Sequence, residues 1–175
     1  MRTVVLRVVA LAVLLLLVLA AVLTIQTMRR LPDTLVYFVA VDPNSFHLEP
    51  VGRMSRSDAP EERARDAVRM LAQGPSEAER ARGLSSVVPA ATVVNDVRFD
   101  DGIVSVDLSR EFEMGGGSAA MQGRLFQLFY TLTQPADVDG VVLLIEGEEV
   151  ELFGGEGLIV ESPWLRSEHE TLPVW

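Results

Sequence analysis

The stretch TVVNDVRFDDGIVSVDL, residues Thr92 to Leu108, decides the fold class. Asp100-Asp101-Gly102 is a turn sequence between two β-rich runs, Thr92 to Phe99 and Ile103 to Leu108. In the second run Val104, Val106 and Leu108 fall on one face and Ser105 and Asp107 on the other, the period-2 pattern of a strand with one buried side. The two runs therefore predict an antiparallel hairpin. C-terminal to it, Gly115-Gly116-Gly117 leads to Ser118, a helix-capping residue type, and a helix running to about Gln134. The apolar run Val141 to Ile145 then reads as an interior strand covered on both faces, and Val150 to Phe153 as a last short strand.

N-terminal to the hairpin, Leu35 to Val41 is a continuous apolar run that reads as a buried strand, with a turn at Asp42-Pro43-Asn44 and a hairpin partner from Phe46 to Arg53. A helix begins near Asp58, which is placed to cap with Glu61 three residues on and Pro60 in the first turn. Its apolar stripe is Ala64, Ala67, Val68 and Leu71; Glu61, Glu62, Arg65, Asp66 and Arg69 form the opposite, solvated face. Gly74-Pro75 ends it, because glycine accepts the positive φ of a helix terminus and proline cannot continue the helix. The order predicts an α/β (α+β) domain, a compact mixed sheet of four to six strands with two main helices.

The second helix carries more apolar surface than one core face needs. Met121, Leu125, Leu128 and Leu132 make a narrow stripe, and Phe126, Phe129 and Tyr130 widen it to roughly 200° at about 100° per residue. Two readings are open: the first helix or the C-terminal tail covers the excess, or Phe126, Phe129 and Tyr130 are a partner surface. Arg124, Gln127 and Thr131 make the helix's clear polar strip.

An uncharged apolar run from Val8 to Ile25 precedes all of this. At about 1.5 Å per residue it makes roughly 27 Å of helix, close to the ~30 Å hydrocarbon core of a bilayer. A transmembrane signal anchor over residues 1–30 is the favoured reading, and a cleaved signal peptide starting at Arg2 and Arg7 is its rival. Arg2 and Arg7 are matched by Arg29 and Arg30, so arginine counting leaves orientation tied. A short head before a long folded tail favours residues 31–175 outside the cytoplasmic membrane. The division expected is an anchor at 1–30, a domain at 31–168 and a C-terminal tail at 169–175.

The chain carries a net charge of −10, and setting aside Arg2, Arg7, Arg29 and Arg30 leaves −14 on residues 31–175. Such a field disfavours sequence-independent binding to nucleic acid or anionic lipid. There is no cysteine and no lysine, which excludes disulfides, thiolate metal sites, thiol nucleophiles and Schiff-base lysines.

Six motifs in order carry a resemblance: Leu35 to Phe38, Leu71 to Glu79, Gly83 to Pro89, Val106 to Phe112, Gln127 to Thr133, and Glu146-Gly147. In order and spacing the chain from about residue 35 to 165 resembles the GerMN domain of spore-germination and sporulation proteins. The resemblance implies an extracytoplasmic, membrane-tethered domain similar in fold to ring-building motifs of envelope assemblies, present here in one copy. It also implies an interaction module with no catalytic residues to carry over. Many relatives are lipoproteins; this chain lacks the cysteine and would use residues 8–25 for attachment. Gly74, Pro75, Pro89, Asp107, Ser109, Phe112, Thr131 and Gly147 are read as structural positions. Ser109 or Asp107 caps the chain as it leaves the hairpin, Phe112 drops into the core, and Thr131 and Thr133 bond preceding carbonyls.

Catalytic chemistry finds little support. His47 and His169 are the only histidines, and no motif ties either to a serine or an aspartate as a triad requires. Asp100, Asp101, Glu146, Glu148, Glu149 and Glu151 lack the spacing of a calcium loop. The glycine triplet reads as a connector. No catalytic, cofactor or metal site is expected. The expected function is a non-enzymatic envelope interaction or scaffold module, its partner an envelope protein or a second copy of itself, with hydrophobic candidates on the second helix and the first hairpin. The alternative is a peptidoglycan or wall-polymer binding module with Trp164 and Trp175 as the platform.

Overall fold

The computed structural model describes residues 12–20, 32–154 and 157–175. The chain divides into two compact units, Met1–Leu31 and Pro32–Trp175. In the first, residues 12–20 are helical; the rest of the expected span lies outside the described residues. Among the described residues no helix is long and apolar enough to cross a membrane.

The second unit opens with the expected antiparallel hairpin, β1 (Thr34–Asp42) and β2 (Ser45–Arg53), paired in unbroken register from Thr34 opposite Arg53 to Asp42 opposite Ser45. Helix α1 (Pro60–Gln73) follows, then a short α2 (Glu77–Ala81). The decisive hairpin is β3 (Val94–Asp100) with β4 (Ile103–Leu108). Asp101 and Gly102 both have positive φ, 43° and 80°, the requirement of a tight two-residue hairpin turn. A 3-10 turn (Arg110–Glu113) and helix α3 (Ser118–Leu132) carry the chain to β5 (Gly140–Ile145), which lies parallel to β4. Short strands complete the unit: β6 (Glu148–Glu149), β7 (Leu152–Phe153), β8 (Leu158–Ile159) and β9 (Trp164–Leu165). Both β6 and β9 add to β5, and β7 pairs with β8.

The fold is mixed α/β, but its strands form separate sheets instead of one. Hairpin β1–β2 stands apart from the β3-β4-β5-β6 sheet because the outer edge of β1 is bonded mainly by side chains, as set out below. Val104, Val106, Leu108, Phe112 and Phe129 are fully buried together, with α1 contributing Ala64, Ala67, Val68 and Leu71. Val141, Leu143 and Ile145 of β5 face this core, whereas Val142 and Leu144 are only half-buried. The expectation of cover on both faces of β5 is thus corrected: among the described residues, helices pack on one side of the sheet only.

Several end signals also differ. Ala59 occupies the cap of α1, and Asp58 makes no capping bond. The capping box instead belongs to α2, where the Ser76 hydroxyl accepts from Glu79 N–H and the Glu79 carboxylate accepts from Ser76 N–H. Gly117, not Ser118, caps α3. Gly74 ends α1 with φ of 75° and donates its N–H to the carbonyls of Met70 and Leu71.

Candidate interaction surface

Helix α3 is built from a sequence that leaves little for water. Its polar strip faces inward. Gln127, fully buried, accepts from Val87 N–H through Oε1 (2.8 Å) and donates through Nε2 to Tyr37 O (2.9 Å), so its amide sits between β1 and the Leu84–Val88 segment as a peptide group would. Thr131 Oγ1 accepts from Tyr37 N–H (3.0 Å), and Gln134 Oε1 accepts from Leu35 N–H (3.2 Å). Beyond them Val39 exchanges both backbone bonds with Ser85. The outer edge of β1 is therefore paired by side chains of α3 and of Gln134 just after it as far as Tyr37, and by the Ser85 backbone at Val39. Thr131 thus accepts from a neighbouring strand, while Thr133 does bond the Phe129 carbonyl (2.9 Å).

Arg124, 3 % exposed, gathers the loops around the N-terminus of α3. Its guanidinium donates to the carbonyls of Val87, Phe112, Met114 and Gly115. Burial lowers its pKa from the usual arginine value, yet four carbonyl oxygens favour the cation that arginine retains in proteins. Two of the three glycines, Gly115 and Gly116, have positive φ, which lets the loop bend around that guanidinium.

The aromatic arc is covered by the chain's own tail. Trp164 stacks on Phe129 with ring centres 4.2 Å apart, and Tyr130 Oη donates to Thr171 O at 2.6 Å. Burial raises the Tyr130 pKa, against the opposing effect of the nearby Arg166 cation. Trp175 packs edge-on to Phe126, and its indole N–H donates to Ala119 O. Its backbone exchanges two hydrogen bonds with Phe46, adding the tail to the outer edge of β2. Gly123 makes room for this: a Cβ there would lie 2.8 Å from the Trp175 ring. Phe129 and Tyr130 are consequently buried and Phe126 half-buried, so their reading as an open partner surface is corrected. The same packing takes Trp164 out of any exposed platform.

An open apolar groove lies at the tip of the first hairpin. A cavity of about 480 Å³ is lined by Val39, Val41, Phe46, Val87, Trp175 and the first turn of α3, with no charged side chain in its lining. Val41 is 61 % exposed and Val174 70 %. The groove sits at the end of β1 opposite Pro32, where the chain departs for residues 1–31.

The remaining sequence candidates are dispersed. His47 faces Asp42 at 3.1 Å on the hairpin, and His169 faces Glu161 at 3.2 Å in the tail. Of the acidic set, Glu146 accepts from Arg110 N–H. Among the described residues, one group brings three metal-ligating side chains together, and it is a different set, Glu161, Glu168 and His169.

The family described as "Germane: Sporulation and spore germination" matches residues 35–151. The chain belongs to the Germane family. The tandem GerMN domains of the sporulation protein GerM from Bacillus subtilis are similar in fold: TM-score 0.60 and 22 % identity over 77 % of this chain and 46 % of that one. This chain thus spans about half of that protein. Its first GerMN domain alone gives TM-score 0.60 and 23 % identity, over 77 % of this chain and 97 % of that one. A candidate lipoprotein from Clostridium perfringens gives 0.55 and 21 %, over 77 % and 87 %. No curated protein matches the chain.

The Germane motifs have physical roles in this chain. Pro75 is buried beneath the α2 turn, and its carbonyl accepts from Arg80. Pro89 O accepts from Thr92 N–H, turning the chain into β3. Ser109 Oγ accepts from Val93 N–H and makes no helix-cap bond, so it ties β3 to the end of β4. Asp107 Oδ1 accepts from Gly147 N–H, and Gly147, at φ of 83°, turns β5 into β6. Sequence reading missed α2 and the inward orientation of the polar strip. The capping pair Ser76 and Glu79 marked the first; a glycine at position 123 inside a helix hinted at the tail's seat.

Proposed function

We propose that this Germane-family chain is a non-enzymatic envelope module, tethered to the cytoplasmic membrane through residues 8–25, with its folded unit outside the cytoplasm. It binds protein, either an envelope partner or a second copy of itself, and serves sporulation or germination machinery. The observation that carries this reading is the uncharged apolar groove at the tip of β1–β2, in a chain whose net charge is −10. Its size falls in the range of ligand-binding clefts, about 300–1,000 Å³. The family description supports the process, and the apolar run supports the tether.

The absence of native cysteine makes a single introduced thiol unambiguous. In intact cells producing Val41→Cys, a thiol-directed cross-linker is expected to give one discrete higher-mass adduct that Glu62→Cys, on α1, does not give. Twice the chain mass identifies self-association, and another mass identifies a different protein. Equal labelling of both variants without a discrete adduct overturns the reading. Saturable binding to purified wall material that Val41→Arg abolishes would replace it with the wall-polymer reading. An impermeant maleimide that labels Val41→Cys only after membrane lysis would overturn the topology.

A further inference from the structure

We infer that Glu161, Glu168 and His169 form a divalent-cation site that clasps the C-terminal tail over α3, with zinc as the metal whose chemistry fits best. The three side chains each offer one ligand atom, and these atoms lie within 4.8 Å of one another. His169 Nε2 and Glu161 Oε2 are already 3.2 Å apart. Bonds of about 2.0–2.2 Å at tetrahedral angles place neighbouring ligand atoms roughly 3.3 Å apart, so this pair spans one edge of such a site without rearrangement. Glu168 closes toward it by side-chain rotation, and water completes the four.

Two further observations point the same way. The imidazole is held: it stands edge-on to Phe129 and to Trp164, at 5.6 Å from each ring, with Nε2 left toward the carboxylates. The carboxylates also lack a basic neighbour. Among the described residues Glu168 has no ion pair and Glu161 has only His169, while Arg166 lies over the Tyr130 ring at 4.6 Å instead of between them. Two carboxylates brought together beside an imidazole nitrogen make a set of oxygen and nitrogen donors whose charge a dication would offset. One imidazole with two carboxylates selects a borderline metal over calcium or magnesium, which take oxygen-rich shells of six or more ligands. The ligands bracket the segment that contains Trp164, so a bound ion would join its two ends and press the indole onto Phe129. The site lies outside residues 35–151, the part of the chain that matches the family.

Zinc chloride titrated into the detergent-solubilised 175-residue chain is expected to bind one-to-one by calorimetry and to change tryptophan fluorescence over the same range. Glu161→Gln/Glu168→Gln removes charge at exposed positions without disturbing the aromatic packing and should weaken zinc at least tenfold. His169→Ala should weaken it further. No saturable uptake below millimolar zinc overturns the inference, as does uptake unchanged in the double glutamine variant. Calcium or magnesium binding as tightly as zinc overturns the choice of metal.

Discussion

Helices α1 and α3 are nearly the same length and both pack on the first hairpin, yet they use polar residues in opposite ways. On α1 the charged side chains reach water fully or in part: Glu62 and Arg69 are exposed, Glu61, Arg63 and Arg65 half-buried, and the buried stripe is the apolar one read from its spacing. Asp66 is the exception, 4 % exposed and accepting from Arg56 N–H and from Arg69. On α3 the polar strip is buried and bonded to backbone, and part of the apolar arc is left for a distant tail to cover. A polar residue marks the place of a hydrogen-bond partner, which is water in one helix and a strand edge in the other.

The largest effect expected from that difference is at Gln127. Gln127→Leu keeps the volume but strands Val87 N–H and Tyr37 C=O in the interior, which should cost about 2–4 kcal/mol. Thr131→Val strands Tyr37 N–H alone and should cost about 1–2 kcal/mol. Chemical denaturation of the two variants checks both values. If Gln127→Leu leaves the midpoint where it was, the helix is not pairing the strand edge and the contrast between the helices collapses.

Much of the fold was legible because it rests on alternation and turn chemistry. Val104, Val106 and Leu108 announce their buried face, and Asp101-Gly102 its turn, from local sequence alone. The strand Val141 to Ile145 was legible as a strand but not in its cover, since a run of five apolar residues has no period to reveal that Val142 and Leu144 sit on the half-open face. Gln127 was legible as polar but not as inward-facing, because its partners at Tyr37 and Val87 are 90 and 40 residues away. The apolar surplus at Phe126, Phe129 and Tyr130 was visible, and cover by the tail was one of the readings open; only the packed structure selects Trp164 and Trp175 for it. The first hairpin was legible as a candidate apolar surface, but the groove was not, being assembled from a hairpin tip, a helix start and Trp175.

A smaller effect sharpens the comparison at the far end of β2, where Arg53 forms an ion pair. Arg53 makes two hydrogen bonds to Glu79, at 2.9 and 2.6 Å, and they are the main reason its carboxyl pKa falls from 4.5 to about 2. A carboxyl depressed in the folded state stabilises the fold above its unfolded pKa, and that contribution is lost as pH falls through the folded value. The stability gap between the native chain and Arg53→Met should therefore be full above about pH 4.5 and close toward pH 2, as followed by denaturant midpoints across that range. A gap that does not change with pH would assign the effect of Arg53 to its packing over Phe38, where its guanidinium lies 5.5 Å from the ring, and not to the ion pair.

The smallest effect belongs to the solvated face of α1. Glu62 is 56 % exposed and approaches Arg65 at 3.7 Å, a pair worth little in water. Glu62→Ala should shift stability by no more than about 0.5 kcal/mol, within the range of ordinary surface substitutions. Asp66, four residues on and charged alike, should cost several times more when replaced by alanine, because its buried carboxylate is the one that accepts from Arg56 N–H and Arg69. Equal effects at the two positions would mean that position on the helix face, and not the partner found there, decides what a charge contributes.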